Sequence, residues 1–162
     1  MFGYLFKKIE ELLLPERISK DGVREPVAVL RLIHQRISQL AQQIGSHAEL
    51  APYPQVAARL RQIAADKRDM GERLKKIIEN RHESITEEIE SAASGRNHWQ
   101  RLIRDLEDQK ALDDLLFRYE FMLTREVPEA AEFLQELKTT HEIHRRSLTQ
   151  LIAVADPQAT QT

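Results

Sequence analysis

The chain has 162 residues, with 24 lysines and arginines against 26 acidic residues and a formal charge of −2. No face need be basic, which argues against a dedicated nucleic-acid binder. Cysteine is absent, so disulfides, thiolate zinc sites, iron–sulfur clusters and cysteine nucleophiles are excluded together. A hydrophobic share of 41% beside a charged share of 31% predicts half-buried, half-solvated helices in one domain.

Residues 1–14 place Phe2, Leu5, Phe6, Ile9, Leu12 and Leu13 on one helical face, with Lys7, Lys8, Glu10 and Glu11 opposite. The opening Met1-Phe-Gly-Tyr-Leu-Phe6 lacks a basic lead and is cut by Lys7-Lys8, so neither a signal peptide nor a membrane span is expected. Pro15 ends this stretch, and a polar segment through Asp21-Gly22 leads to Pro26. Residues 1–25 thus read as an amphipathic arm and linker, 26–156 as the folded body and 157–162 as a tail.

From Pro26 the spacing of Val27, Leu30, Ile33 or His34, Ile37, Leu40 or Ala41 and Ile44 predicts a first helix to about residue 50. It stops before Pro52-Tyr53-Pro54, and Pro54 suits the first turn of a second helix. That helix carries Val56, Leu60, Ile63, Lys67, Met70, Leu74 and Ile77, with helical propensity continuing through His82 to Glu90. Asn97 is the expected N-cap of a third helix bearing Trp99, Ile103, Leu106, Leu112, Leu115, Leu116 and Tyr119. Pro128 opens a fourth, with Ala130, Leu134, Leu137, His141, His144, Leu148 and Leu151 on its stripe, and Asp156-Pro157 closes it.

A shift of 74 residues lays Pro54 on Pro128, Leu60 on Leu134, Ile63 on Leu137, Leu74 on Leu148 and Ile78 on Ile152. Two stripes hold one register, each begun by a proline, as duplication of a helical hairpin would leave them. Under the same shift Lys67 lies over His141 and Met70 over His144. Each pair is spaced i, i+3, so both side chains leave their helix on one face.

The stretches Leu60-Arg-Gln-Ile-Ala-Ala-Asp-Lys-Arg-Asp-Met-Gly-Glu-Arg-Leu74 and Leu134-Gln-Glu-Leu-Lys-Thr-Thr-His-Glu-Ile-His-Arg-Arg-Ser-Leu148 resemble the ferritin-like superfamily in its rubrerythrin-type branch. The resemblance covers roughly residues 26–156. It implies an all-α fold, an antiparallel four-helix bundle, with the N-terminal arm outside it. The family places a Glu-x-x-His pair at these points, four residues before a closing Leu in the His, and a Glu from each remaining helix, to hold two metal ions. Carried across, His144 keeps the histidine, His141 stands where a Glu is expected, Lys67 replaces the other Glu and Met70 the other His. The first helix would contribute near His34; the third offers Glu107, Lys110, Asp113 and Asp114 without singling one out.

Two hard cations need carboxylates to offset their charge, and a protonated lysine cannot ligate and would repel them. A buried Lys67 needs compensation, and pairing with a third-helix carboxylate such as Asp113 is the simplest. No cofactor and no catalytic residue is therefore expected, and Lys67, Met70, Asp113, His141 and His144 read as vestigial positions. The rival expectation is one transition metal ion held by His34, His141 and His144.

His47, His82 and His98 fall at helix ends or on polar faces and are expected to be solvated. The basic run from Arg59 to Lys76 is interleaved with Asp66, Asp69 and Glu72 and reads as an ion-paired outer face. Phe117, Tyr119 and Phe121 read as core and interface packing. The arm needs a cover for its apolar face: its own bundle or a sister subunit first, then a protein partner through residues 1–14, then a membrane surface, for which it is short and charge-balanced. The functional expectation is a cytoplasmic, non-enzymatic interaction or assembly module, a homodimer.

Overall fold

The computed structural model describes residues 25–81, 83–85 and 93–155; the arm over 1–14 and the tail over 157–162 lie outside them. Among the described residues all regular structure is helical: α1 Pro26–Glu49, α2 Pro54–Glu79, α3 His98–Glu126, a single 3₁₀ turn Pro128–Ala130, and α4 Ala131–Val154. In α1, Val27, Leu30, Ile33, Ile37, Leu40, Ala41 and Ile44 recur every three or four residues, and all are buried. Pro26 and Pro54 occupy the first turns of α1 and α2, where a missing N–H costs nothing.

Where propensity predicts helix through His82 to Glu90, α2 ends at Glu79 and residues 83–85 are not helical, while His82 and 86–90 lie outside the described residues. Tertiary ties begin at this point. Arg81 bonds the Glu126 carbonyl at 3.1 Å and the Glu129 carboxylate at 2.5 Å, Glu83 takes the guanidinium of Arg31 in α1, and Ile85 packs on the core. These contacts compete with one more turn of local hydrogen bonds, and they pin the chain out of the helix axis.

The start of α3 follows the sequence reading: Asn97 Oδ1 accepts the Gln100 N–H at 2.8 Å. Asn97→Ala removes that cap and is expected to lower stability by about 1 kcal/mol in a thermal or urea melt. Gly95 precedes it with φ +102°, a conformation that favours glycine. At the other end Pro128 opens a 3₁₀ turn before α4 proper.

α1 packs against α2 and α3, and α4 packs against α3 and α2, so the four helices enclose one core with α1 and α4, and α2 and α3, across the diagonals. Glu49 meets Arg61, Gly45 faces Ala64 and Gly71 faces Ile37; partner numbers rise along one helix as they fall along the other. The same holds for α3 with α4, through Glu120–Lys138 and Asp113–Arg145, and for α2 with α4, through Arg73–Glu136 and Asp66–His144. The exposed pairs among them, Glu49–Arg61 and Arg73–Glu136, contribute under about 1 kcal/mol each. Burial of side chains such as Leu60, Leu74, Leu134 and Leu137, at about 1.5–3 kcal/mol apiece, holds the bundle together.

The repeat is visible in the burial pattern: Leu60 and Leu134, Ile63 and Leu137, Lys67 and His141, Met70 and His144, and Leu74 and Leu148 are buried in register. On α3 the inward face matches the predicted one at Leu112 and Leu116 and differs elsewhere. Leu102, Leu112, Leu116 and Leu123 are buried together with Arg101, Asp105 and Gln109, while Trp99, Ile103, Leu106 and Leu115 are only half-buried. Phe117 and Phe121 are not core residues: they are 84% and 79% exposed, and only Tyr119 of the three packs against the core.

Candidate functional site

The middle of the bundle is polar. Lys67 has no exposed surface, because α2 aims it inward with the same periodicity that buries Leu60 and Leu74. Its Nζ donates to Gln109 Oε1, across the bundle on α3. Gln109 Nε2 in turn donates to Asp113 Oδ1 at 2.9 Å, and Arg145 of α4 reaches Asp113 Oδ2 at 2.9 Å. The expected direct pairing of Lys67 with Asp113 is therefore replaced by a relay. A neutral amide fills the space beside the amine, and the carboxylate lies further out, partly exposed, where Arg145 reaches it. Of the third-helix candidates, Glu107, Lys110 and Asp114 are exposed. Gln109 is the residue that reaches the centre, and it was not anticipated.

Burial lowers the Lys67 pKa from 10.5 to about 7 against the raising effect of Asp113, Asp105 and Asp66. An ammonium deprived of water is disfavoured, and distant or indirect carboxylates do not restore it. At neutral pH the centre thus holds an amine close to its own titration midpoint.

His141 and His144 lie on the same face of α4 with ring centroids 6.0 Å apart, and both are buried. His144 Nε2 donates to Asp66 Oδ2 at 3.0 Å, which fixes the tautomer and leaves Nδ1 a lone pair with no hydrogen-bond partner among the described residues. His141 Nδ1 is 3.3 Å from Asp113 Oδ1 but poorly aligned, and neither of its ring nitrogens makes a hydrogen bond there. Burial first, and the charge of Lys67 with it, lowers both histidines to about 4, so both rings are neutral at pH 7. For Asp113, burial pulls the pKa up, but the contacts from His141, Gln109 and Arg145 outweigh it and hold it low.

Met70 and His34 are also buried. No group of three or more histidine, aspartate or glutamate side chains converges as a metal set among the described residues. The donor set does not fit two metal ions. Two such ions need bridging carboxylates, whereas Lys67 puts an amine at the centre, Gln109 puts an amide beside it, and the flanking carboxylates Asp66 and Asp113 are tied to His144 and Arg145.

A family-model scan, a search of curated proteins and a search of solved structures find no match to this chain. The chemistry must be read from its own residues.

A second polar cluster sits where α1 meets the start of α3. His47, expected to be solvated, is wholly buried, and His98 is half-buried; His82 lies outside the described residues. His47 Nδ1 donates to Asp105 Oδ2 at 2.8 Å, and Gln43 Nε2 donates to Asp105 Oδ1 at 2.9 Å. Burial raises the Asp105 pKa, and these two donors oppose the rise. The signal was present in the sequence: Gln43 and His47 are one turn apart on α1, as are Arg101, Asp105 and Gln109 on α3. A stripe of complementary polar residues on two helices can pair as well as an apolar one.

Ser94, His47 and Asp105 are the residue types of an acyl-transfer triad. The geometry points elsewhere. The His47 Nε2 lone pair accepts the backbone N–H of Ser94 at 2.9 Å, so the base that would activate a nucleophile is already occupied. Ser94 Oγ makes no bond to it. The arrangement fastens the segment before α3 to α1.

Proposed function

We propose that the chain is a ferritin-like, rubrerythrin-type bundle, antiparallel as its falling and rising contact numbers suggest, that carries no di-metal chemistry and acts as an interaction or assembly module. The observation that supports this reading is Lys67. A wholly buried amine bonded to Gln109 occupies the place where the resemblance calls for a carboxylate, and it favours a packed centre over a charged metal cage.

The surface supports the assembly half of the reading. Phe117 and Phe121 stand one turn apart on the outside of α3, beside a groove of about 420 Å³ between α3 and α4 lined by Leu116, Phe117, Lys138, Arg145, Asp114 and Glu142. An aromatic pair rimmed by both signs of charge suits a second copy of this chain, because a patch that carries both signs can be complementary to itself across a twofold axis. No helix among the described residues is long and apolar enough to cross a membrane, and a cytoplasmic location is part of the proposal.

Light scattering of the purified full chain is expected to give twice the 18.8 kDa chain mass, falling to the monomer mass in a Phe117→Asp, Phe121→Asp variant that keeps its helical spectrum. A wild-type monomer would sink the assembly reading.

One observation favours a second reading. The unpartnered ring nitrogens of His141 and His144 are lone-pair donors of the kind that take a single transition metal, with His34 as the further candidate. Elemental analysis after incubation with iron or zinc separates the two. The preferred reading expects less than stoichiometric metal; one ion per chain that disappears in a His141→Ala, His144→Ala variant would establish the other.

A further inference from the structure

At the start of α3 one charged side chain is buried with no carboxylate hydrogen-bonded to it among the described residues. Arg101 is 3% exposed, yet its Nε and Nη2 find no hydrogen-bond partner among the described residues. These two N–H groups form the side-on fork with which a guanidinium grips an oxyanion through two parallel bonds. The remaining nitrogen, Nη1, reaches the Gly95 carbonyl at 3.5 Å. The guanidinium is thereby turned back toward the N-terminal end of its own 29-residue helix, where the helix dipole and the first-turn N–H groups favour negative charge. Two further polar atoms in this region are buried and unpartnered among the described residues, Ser94 Oγ and His98 Nδ1.

An unpaired guanidinium in such a position costs more than most neutral polar groups. Asp105, whose charge acts on Arg101, does not satisfy it: both Asp105 oxygens are turned to His47 and Gln43. Gly95 and Arg96 are exposed, and Ser94 and His98 are half-exposed, so the rim of the cluster opens to solvent. Three donor groups, one of them a two-pronged fork, call for more acceptor oxygens than a carboxylate has, and a tetrahedral oxyanion supplies them.

We propose that Arg101, Ser94 and His98 form an oxyanion site at the N-terminus of α3, and that its ligand is inorganic phosphate or a phosphate monoester. Arg101 holds two oxygens through Nε and Nη2. Ser94 Oγ and the protonated Nδ1 of His98 take the others. The His47–Ser94 bond keeps the rim in place.

Titration of inorganic phosphate, sulfate and acetate into the full chain, followed by amide and Arg101 Nε–H resonances, tests this directly. Saturable shifts at Ser94, Gly95, His98 and Arg101 are expected with phosphate and sulfate, and weaker ones with acetate. Arg101→Lys, which keeps the charge and loses the fork, is expected to weaken phosphate by about tenfold or more. Should that variant fold poorly, Ser94→Ala and His98→Ala are each expected to weaken phosphate severalfold without changing the melting temperature in its absence. No saturable binding at millimolar phosphate, or an affinity untouched by all three substitutions, would overturn the proposal. Acetate binding as tightly as phosphate would also overturn the tetrahedral ligand.

Discussion

Replacing Gln109 with leucine is expected to destabilise the bundle by about 3 kcal/mol or more, whereas the double variant Lys67→Met, Gln109→Leu should recover most of that loss. The single change strips the buried amine of its acceptor while leaving it without water. The double change removes donor and acceptor together and leaves apolar groups of similar length. Lys67→Met alone leaves Gln109 Oε1 without its donor and should fall between the two. Urea unfolding of the four proteins measures the coupling directly. Additive effects of the two substitutions would mean that the bond contributes nothing.

The same amine sets a pH dependence. The folded pKa of Lys67 is lowered from 10.5 to about 7. Between those values the unfolded chain binds a proton that the folded chain does not. Stability therefore rises with pH across this window, by up to about 1.4 kcal/mol per pH unit, and is flat with respect to Lys67 below it. His141 and His144, lowered from 6.5 to about 4, act with the same sign further down: stability falls as pH drops from 6.5 toward 4. Lys67→Met should abolish the alkaline slope and leave the acid one.

His47→Ala is expected to cost about 3–5 kcal/mol, comparable with the loss of a large core side chain. Three effects combine: a cavity at a fully buried site, an Asp105 that loses its 2.8 Å donor, and a Ser94 N–H that loses its acceptor. Asp105→Asn should be milder, because the amide oxygen can still accept from His47 and Gln43 can reverse its own amide. Hydrogen exchange distinguishes the local part. The Ser94 amide should be protected in the wild type and in Asp105→Asn, and exposed in His47→Ala well below global unfolding. Equal protection in all three would contradict the tether.

Much of this was legible because α1, α2 and α4 carry strong apolar stripes. Proline marks where they begin, and the 74-residue register put Lys67 and His141 at matching inward positions. Asn97 was legible as a cap because its chemistry is local. What escaped was polar and non-local. Arg101, Asp105 and Gln109 point inward on α3, but an apolar periodicity cannot distinguish a satisfied polar residue from a solvated one. Their partners Gln43, His47 and Lys67 lie on other helices. The exposed position of Phe117 and Phe121 inverted the usual rule for aromatics, while Leu112, Leu116 and Leu123 are the apolar residues that α3 turns inward with Leu102.

The titration of Lys67, followed through the ¹³Cε and ¹⁵Nζ resonances of lysine-labelled protein with Lys67→Met for assignment, tests the central claim most directly. One lysine should titrate near 7, where burial places it, and its signal should vanish in the variant. If every lysine titrates near its ordinary value of about 10.4, the amine is in water and the centre of the bundle is not built as described.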